Sequence, residues 1–347
     1  MKRILIPFLC VLITGCVTNS SLTTGDIAQE YLELWMSKNY PAVTPEASGI
    51  YIVSEQLSGG EKWSSSNPWI FAEVTIRTLS GTVSSSDNED WAKQLGTYQP
   101  SYYYGGKFSM LGEGVSYAGV DAMLEGMELG STRTAVIPAW MLTTNRYSTQ
   151  KEYLENCTTS SSLVYTIKLL DQGVEQADIE KRQVANYINA HFPGATATVM
   201  PGSEEGAEAD GTFWFISNVT GLNESDKRTE TDESLSLNYT GIRLDGTVFD
   251  TSVKKTAIDN DVYNEDGSYS PLSVTYASEW DSILINGSTS FVDGFRAGVS
   301  LMWWPGQKAT VIFTSAHGYG STSKSAAIPA YCPMIFELEL VPNKTEE

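Results

Sequence analysis

The sequence is short of the residues from which most catalytic centres are built. Among 347 residues there are only two histidines and four cysteines. No G-x-S-x-G, H-E-x-x-H, C-x-x-C or Walker-type phosphate-loop spacing occurs, which removes the common hydrolase, zinc-protease, dithiol and nucleotide chemistries. His191 closes a helical stretch, where an imidazole suits the helix dipole, and His317 stands in a glycine-flanked turn. Neither has a serine and a carboxylate placed nearby to complete a nucleophilic triad. Basic residues are also scarce, 22 Lys and Arg against 42 Asp and Glu, for a net charge of −20. Such a surface repels nucleic acid and anionic headgroups. No run of eighteen apolar residues exists, so no membrane-spanning helix is expected. The acidic stretch Asp259 to Gly267 lacks the calcium-loop spacing because position 263 is tyrosine, and it reads as a solvated flap. The sequence calls for no cofactor and offers no metal-ligand set. Cys157 and Cys332 are too few for a disulfide framework and read as two free buried thiols.

What is present begins at the N-terminus. Lys2 and Arg3 precede an apolar stretch from Ile4 to Ile13, of secretory-signal length. It ends in Ile13-Thr14-Gly15-Cys16, which resembles the lipobox of bacterial lipoproteins. The resemblance implies cleavage after residue 15 and acylation of Cys16. Several acyl chains would hold the chain firmly, at about 0.8 kcal/mol per buried methylene. Residues 16–24 then form a small, polar tether, and the expected location is the bacterial cell envelope, on the periplasmic side or at the outer membrane.

The rest of the chain carries a weak internal repeat. A helical segment from Asp26 to Lys38, with Ile27, Tyr31, Leu34 and Trp35 on one face and Thr24 as N-cap, is matched by one from Val174 to His191, with Val184, Tyr187, Ile188 and His191 on one face. A strand follows each helix, at residues 49–53 and 211–216. A short helix recurs at 119–127 and 294–302, each apolar at i, i+4 and i+7. β-rich runs at 134–137 and 309–313 follow, and alternating strands close each half at 163–169 and 334–340. Two copies of this order predict two α+β domains, 25–170 and 196–347, joined by a helical connector over 171–195.

The second copy carries the informative constellation. Leu237-Asn238-Tyr239-Thr240-Gly241 leads through the tight-turn dipeptide Asp245-Gly246 into Val248-Phe249-Asp250-Thr251-Ser252. Further on come Phe291-Val292-Asp293-Gly294-Phe295, then His317-Gly318-Tyr319-Gly320, Ile328-Pro329 and Ile335-Phe336-Glu337-Leu338-Glu339-Leu340. From Glu233 to Val341 this resembles the FKBP-type peptidyl-prolyl cis-trans isomerase family. The resemblance implies a five-stranded antiparallel sheet wrapped around the short helix, with an apolar pocket between them. Carried over position by position, Tyr239, Phe249, Val292, Phe295, Tyr319, Ile328 and Phe336 would line the pocket. Asp250 would stand at its edge, the Tyr319 hydroxyl and the Val292 N–H would supply hydrogen bonds, and proline-containing polypeptides would be the partners. The sequence departs from the family at the pocket floor, usually tryptophan and here Phe295, in the Trp303-Trp304-Pro305 insertion, and in a long flap after Lys255.

The first copy reads differently. At the matched positions it holds Val74, Ser84, Ser85 and Val120, with Thr143 near the place of the late tyrosine; only Tyr165 stays aromatic. An FKBP-like scaffold without isomerase activity is expected there. Its aromatic loop from Tyr98 to Tyr104 serves either as a recognition surface or as packing against the neighbouring domain. The alternative for the whole chain is a non-catalytic polypeptide-binding or envelope assembly lipoprotein, in which both FKBP-like domains only grip polypeptide or a partner lipoprotein.

Overall fold

The computed structural model describes residues 22–219, 234–277, 279–303 and 306–341. The signal segment, Cys16 and most of the tether lie outside these, as do Glu233, Trp304 and Pro305.

Domain one consists of α1 (Thr24–Asn39), β1 (Tyr51–Gln56), β2 (Trp69–Thr78), β3 (Val83–Ser86), α2 (Glu89–Gln94), β4 (Lys107–Met110), α3 (Ala118–Leu124), β5 (Thr132–Ile137), α4 (Gln150–Glu155) and β6 (Leu163–Gly173). The connector helix is α5 (Gln176–His191). Domain two consists of β7 (Phe213–Ser217), β8 (Ser234–Arg243), β9 (Val248–Thr251), α6 (Lys254–Asp259), β10 (Leu272–Thr275), β11 (Leu284–Ile285), α7 (Asp293–Ser300), β12 (Lys308–Phe313) and β13 (Met334–Val341).

The repeat is realised in topology. Sheet one runs β1-β5-β6-β2-β3, with β4 also paired to β2. Sheet two runs β7-β12-β13-β8, with β9 and β10 both on β8 and β11 beyond β10. Element for element the order is the same, and every pairing is antiparallel. The two sheets have six and seven strands rather than five, because β4, β10 and β11 extend them with chain that carried no clear strand signal. Each sheet wraps one face around its short helix, α3 or α7, and the two main cores lie in those concavities.

The opposite face of each sheet is covered by the helix that precedes it. Leu32 and Met36 pack on Tyr51, Val136 and Val164 of sheet one. Val184 and Ile188 pack on Trp214, Ile312 and Ile335 of sheet two. Strand alternation explains both layers: Val311 and Phe313 face the α7 core while Ile312 between them faces α5.

Several expectations shift at this level. The buried face of α1 is Gly25, Ala28, Leu32 and Met36, whereas Ile27, Tyr31 and Leu34 are exposed. The smaller residues win because the helix lies close to its neighbours: a Cβ on Gly25 would stand 2.2 Å from the carbonyl oxygen of Leu154. The N-cap is Thr23, not Thr24; its hydroxyl and the Asp26 carboxylate form a reciprocal capping box. α5 starts at Gln176 and buries Ile179, Glu180, Val184 and Ile188, leaving His191 exposed. β6 runs on to Gly173 through a bulge opposite Phe71 and Ala72. Cys157 and Cys332 are both free, but only Cys332 is buried; Cys157 is half-buried in the loop after α4.

Candidate functional site

β8, β9, α7, β13 and the loop between β12 and β13 converge on one cavity of about 410 Å3 in domain two. All eight residues singled out from the sequence line it: Tyr239, Phe249, Asp250, Val292, Phe295, Tyr319, Ile328 and Phe336. Strand register brings the first three together. Gly241 on β8 stands between Phe336 on β13 and Asp250 on β9. Its lack of a side chain is required, since a Cβ there would lie 2.6 Å from the Phe249 ring. The Phe249 ring thereby crosses the sheet edge and meets Phe336 at 5.8 Å, edge to face.

The floor is a cluster of rings. Phe295 is fully buried, 4.8 Å from Phe336 and 5.8 Å from Tyr239, edge-on to both. Phe313 lies beneath Phe336 in a stacked pair at 5.8 Å. Each edge-to-face pair adds roughly 0.5–1.5 kcal/mol beyond the area it buries, so the floor is rigid as well as apolar.

The polar groups are few and oriented. The Tyr239 hydroxyl donates to Asp250 Oδ2 at 2.8 Å, and the Thr251 N–H donates to Asp250 Oδ1 at 2.9 Å. Burial first, then the adjacent Asp250 charge and hydrogen bond, push the Tyr239 phenol well above its ordinary range. Burial and the same carboxylate also raise the Tyr319 phenol. Both phenols therefore remain hydrogen-bond donors at neutral pH. Val292 forms the N-cap of α7; its carbonyl accepts from the Phe295 and Arg296 N–H groups. Its own N–H has no partner among the described residues.

Six lining residues escaped the sequence reading: Ser290, Phe291, Lys324, Ser325, Ala327 and Met334. Phe291 stacks on Phe295 at 5.6 Å and adds a second ring where a single larger ring was expected. Its position beside Val292 was a usable signal. Met334, at the start of β13, and Lys324, whose ammonium lies 5.5 Å over the Tyr319 ring, also line the cavity. Lys324 belongs to an irregular loop, where no periodicity marks a side chain as inward-facing.

Domain one keeps the framework and not the lining. Val74 and Tyr165 take the register positions of Tyr239 and Phe336 on β2 and β6. Ser84 and Ser85 on β3 are exposed, and Val120 on α3 is half-buried. Thr143 accepts the Ala118 N–H at its carbonyl, at the start of α3. Tyr165 is buried, and burial pushes its phenol up to about 12. Beside α3 the space is organised by polar contacts: Asp121 accepts from the Ser116 hydroxyl and, at 2.6 Å, from Arg146.

His317 bonds to the Thr212 hydroxyl at 2.9 Å, and that hydroxyl donates to Asp210 at 2.5 Å. The carboxylate grips the threonine rather than the imidazole, so the three do not form a charge-oriented triad.

No protein-family model matches the chain, and no curated protein does. Solved structures do. The three FKBP domains of wheat FKBP73 align over 86% of this chain and 98% of theirs, at 18% identity and a TM-score of 0.27. A peptidyl-prolyl cis-trans isomerase from Pseudomonas syringae aligns over 48% of this chain and 90% of its own, at 19% identity and a TM-score of 0.30. FkpA from Escherichia coli aligns over 43% of this chain and 59% of its own, at 16% identity and a TM-score of 0.29.

Proposed function

We propose that domain two is a peptidyl-prolyl cis-trans isomerase acting on exported polypeptides, and that domain one is a non-catalytic copy. The single observation that carries the reading is the convergence of Tyr239, Phe249, Asp250, Val292, Phe295, Tyr319, Ile328 and Phe336 on one aromatic cavity.

The chemistry follows from the amide. Rotation about the X-Pro bond faces a barrier of about 18–20 kcal/mol because the C–N bond has partial double-bond character. In the twisted transition state conjugation is lost and the carbonyl is less polar. A dry aromatic cavity therefore favours the twisted form over the solvated planar one, and no nucleophile or proton relay is needed. The proline ring would sit over Phe295 between Phe249 and Phe336. The Val292 N–H and the Tyr319 hydroxyl supply donors for the flanking carbonyls. Asp250, held by Tyr239, stands at the cavity edge, where a fixed carboxylate orients the carbonyl dipole as it turns. An acceleration of a hundred- to ten-thousand-fold needs about 3–5.5 kcal/mol of differential stabilisation, within reach of several rings and two donors.

The anchor is part of the proposal. With Cys16 acylated, the domains would hang from a membrane of the cell envelope and meet chains emerging there. Mass spectrometry of the membrane-extracted protein tests this; an unmodified N-terminus or an unacylated Cys16 refutes it.

Cis/trans exchange of a short X-Pro peptide, followed by NMR with the chain from Val17 onward, tests the activity. Acceleration that disappears in a Tyr319→Ala, Asp250→Ala variant establishes the isomerase and its site. A folded protein without acceleration makes this a pair of binding modules.

A further inference from the structure

The cavity wall formed by Lys324, Ala327 and Ile328 is an irregular loop bonded to itself through Ser325, whose hydroxyl accepts from the Ala327 and Ile328 N–H groups. Within it, Lys324 N–H donates to Ile328 O at 3.0 Å, and Ser325 and Ile328 exchange a backbone pair, Ser325 N–H to Ile328 O at 3.3 Å and Ile328 N–H to Ser325 O at 3.2 Å. Two carbonyls of this loop are taken up by groups that do not line the cavity. Ala326 O accepts the Tyr103 N–H of domain one at 2.9 Å. Ala327 O accepts from Arg243 Nη1 at 2.8 Å. The same guanidinium reaches into domain one, from Nη1 to Ser101 O at 2.9 Å and from Nη2 to Tyr102 O at 3.2 Å. It lies 5.4 Å over the Tyr103 ring, and its side chain is 3% exposed.

A second fastening stands just beyond the loop. Tyr331 adopts φ 56°, a backbone state that side-chain-bearing residues rarely hold. Its N–H bonds to Gly320 O at 2.7 Å. Its ring meets Trp69 at 5.5 Å and Phe108 at 5.6 Å, both of domain one and both edge-on. A tyrosine is held in a costly conformation there because it is plugged into the other domain.

We infer that domain one is a holdfast for the wall of the domain-two cavity: its 101–103 backbone and its Trp69–Phe108 cleft set the position of the 324–328 loop through Arg243 and Tyr331. The loop of Tyr98 to Tyr104 therefore serves the neighbouring domain, and the copy without a lining of its own retains a task. The inference deepens the isomerase reading and rests on it for the identity of the ligand. Arg243 and Tyr331 are positioning residues; neither is a catalytic residue. A planar fork reaches three carbonyls at once, which an ammonium cannot do from one position.

Coupling through such a contact is reciprocal. Proline-peptide binding to the wild-type chain should slow amide exchange at Tyr103, which does not itself line the cavity. Arg243→Lys and Tyr331→Gly should each speed exchange across 324–328 and weaken peptide binding by about tenfold, in KM rather than kcat. Tyr331→Gly is the safer of the two for folding, since glycine adopts the positive φ without strain. Tyr331→Phe keeps the ring and should restore wild-type values. Indifference of the Tyr103 amide to the peptide, or unchanged loop exchange and affinity in both variants, overturns the holdfast. The isomerase reading fails separately: a wild-type chain that binds peptide without accelerating exchange loses the activity and keeps the holdfast. If it binds no peptide, loop exchange in the variants against the wild type still decides.

Discussion

Two sheets with the same strand order, built from one chain, differ in what they enclose. Domain two surrounds its short helix with five aromatic rings and a carboxylate held by a phenol. Domain one places valine and serine at the matched positions, and beside its short helix it spends an arginine on an aspartate. The scaffold survives because sheet packing needs only alternating apolar residues of suitable volume. A site needs particular residues at a few positions, and those are the positions that differ. The two sheets thus separate what the packing of the fold requires from what the aromatic cavity requires within a single molecule.

The sharpest way to break the comparison is to give domain two the residues of domain one. Phe249→Ser with Asp250→Ser should reduce prolyl exchange by at least about a hundredfold, equivalent to roughly 2.7 kcal/mol of barrier. The far-ultraviolet circular dichroism should not change, because both positions lie at the short edge strand β9. Phe295→Ala should cost stability as well, about 3–5 kcal/mol by thermal or denaturant unfolding, since the ring is 2% exposed and its neighbours cannot close around the void. Val120→Ala, the matching cut in domain one, should cost clearly less, because Val120 is only half-buried.

A smaller effect separates the hydroxyl from the ring. Tyr239→Phe leaves the floor intact and removes the donor to Asp250, a loss of about 0.5–1.5 kcal/mol that should appear in catalysis before it appears in melting temperature. The two thiols give the mildest contrast. Burial pushes the Cys332 thiol up to about 12, so at pH 8 it should resist iodoacetamide until the protein unfolds. Cys157 is raised in the same direction by weaker burial and should label first; peptide mapping reads both.

Acid should act on domain two through His317. Burial lowers its imidazole against the opposing charges of Asp210 and Asp293. A base that is depressed on folding favours the native state above its ordinary value and loses that contribution as pH falls below it. Melting of domain two should therefore decline on mild acidification, and His317→Gln should flatten the decline.

Periodicity and turn chemistry made much of this architecture legible beforehand. The short helices and the closing strands lie where the pattern placed them, and the eight residues named from the resemblance line one cavity. The misreadings have physical causes. On α1 the larger residues Ile27, Tyr31 and Leu34 suggested the buried face, yet close approach favoured Ala28 beside Gly25. Lys324 could not be read inward because an irregular loop has no period. The hydrogen bonds of Arg243 to Ser101, Tyr102 and Ala327 are to backbone carbonyls, which leave no mark on the residues that supply them.

The strand order also sets a schedule. In each sheet the strand at the centre is the last one in the chain: β6 lies between β5 and β2, and β13 between β12 and β8. Neither sheet can zip outward from its first hairpin, because the partner that joins its two halves is synthesised at the end. Domain one can close once Gly173 is available, while β7 and β8 of domain two stay apart until Met334 to Val341 arrive. Such late, long-range closure is slow and leaves strand edges open in the meantime. Loss of the final eight-residue strand would split domain two into halves, a heavier injury than loss of β7 at the sheet's edge.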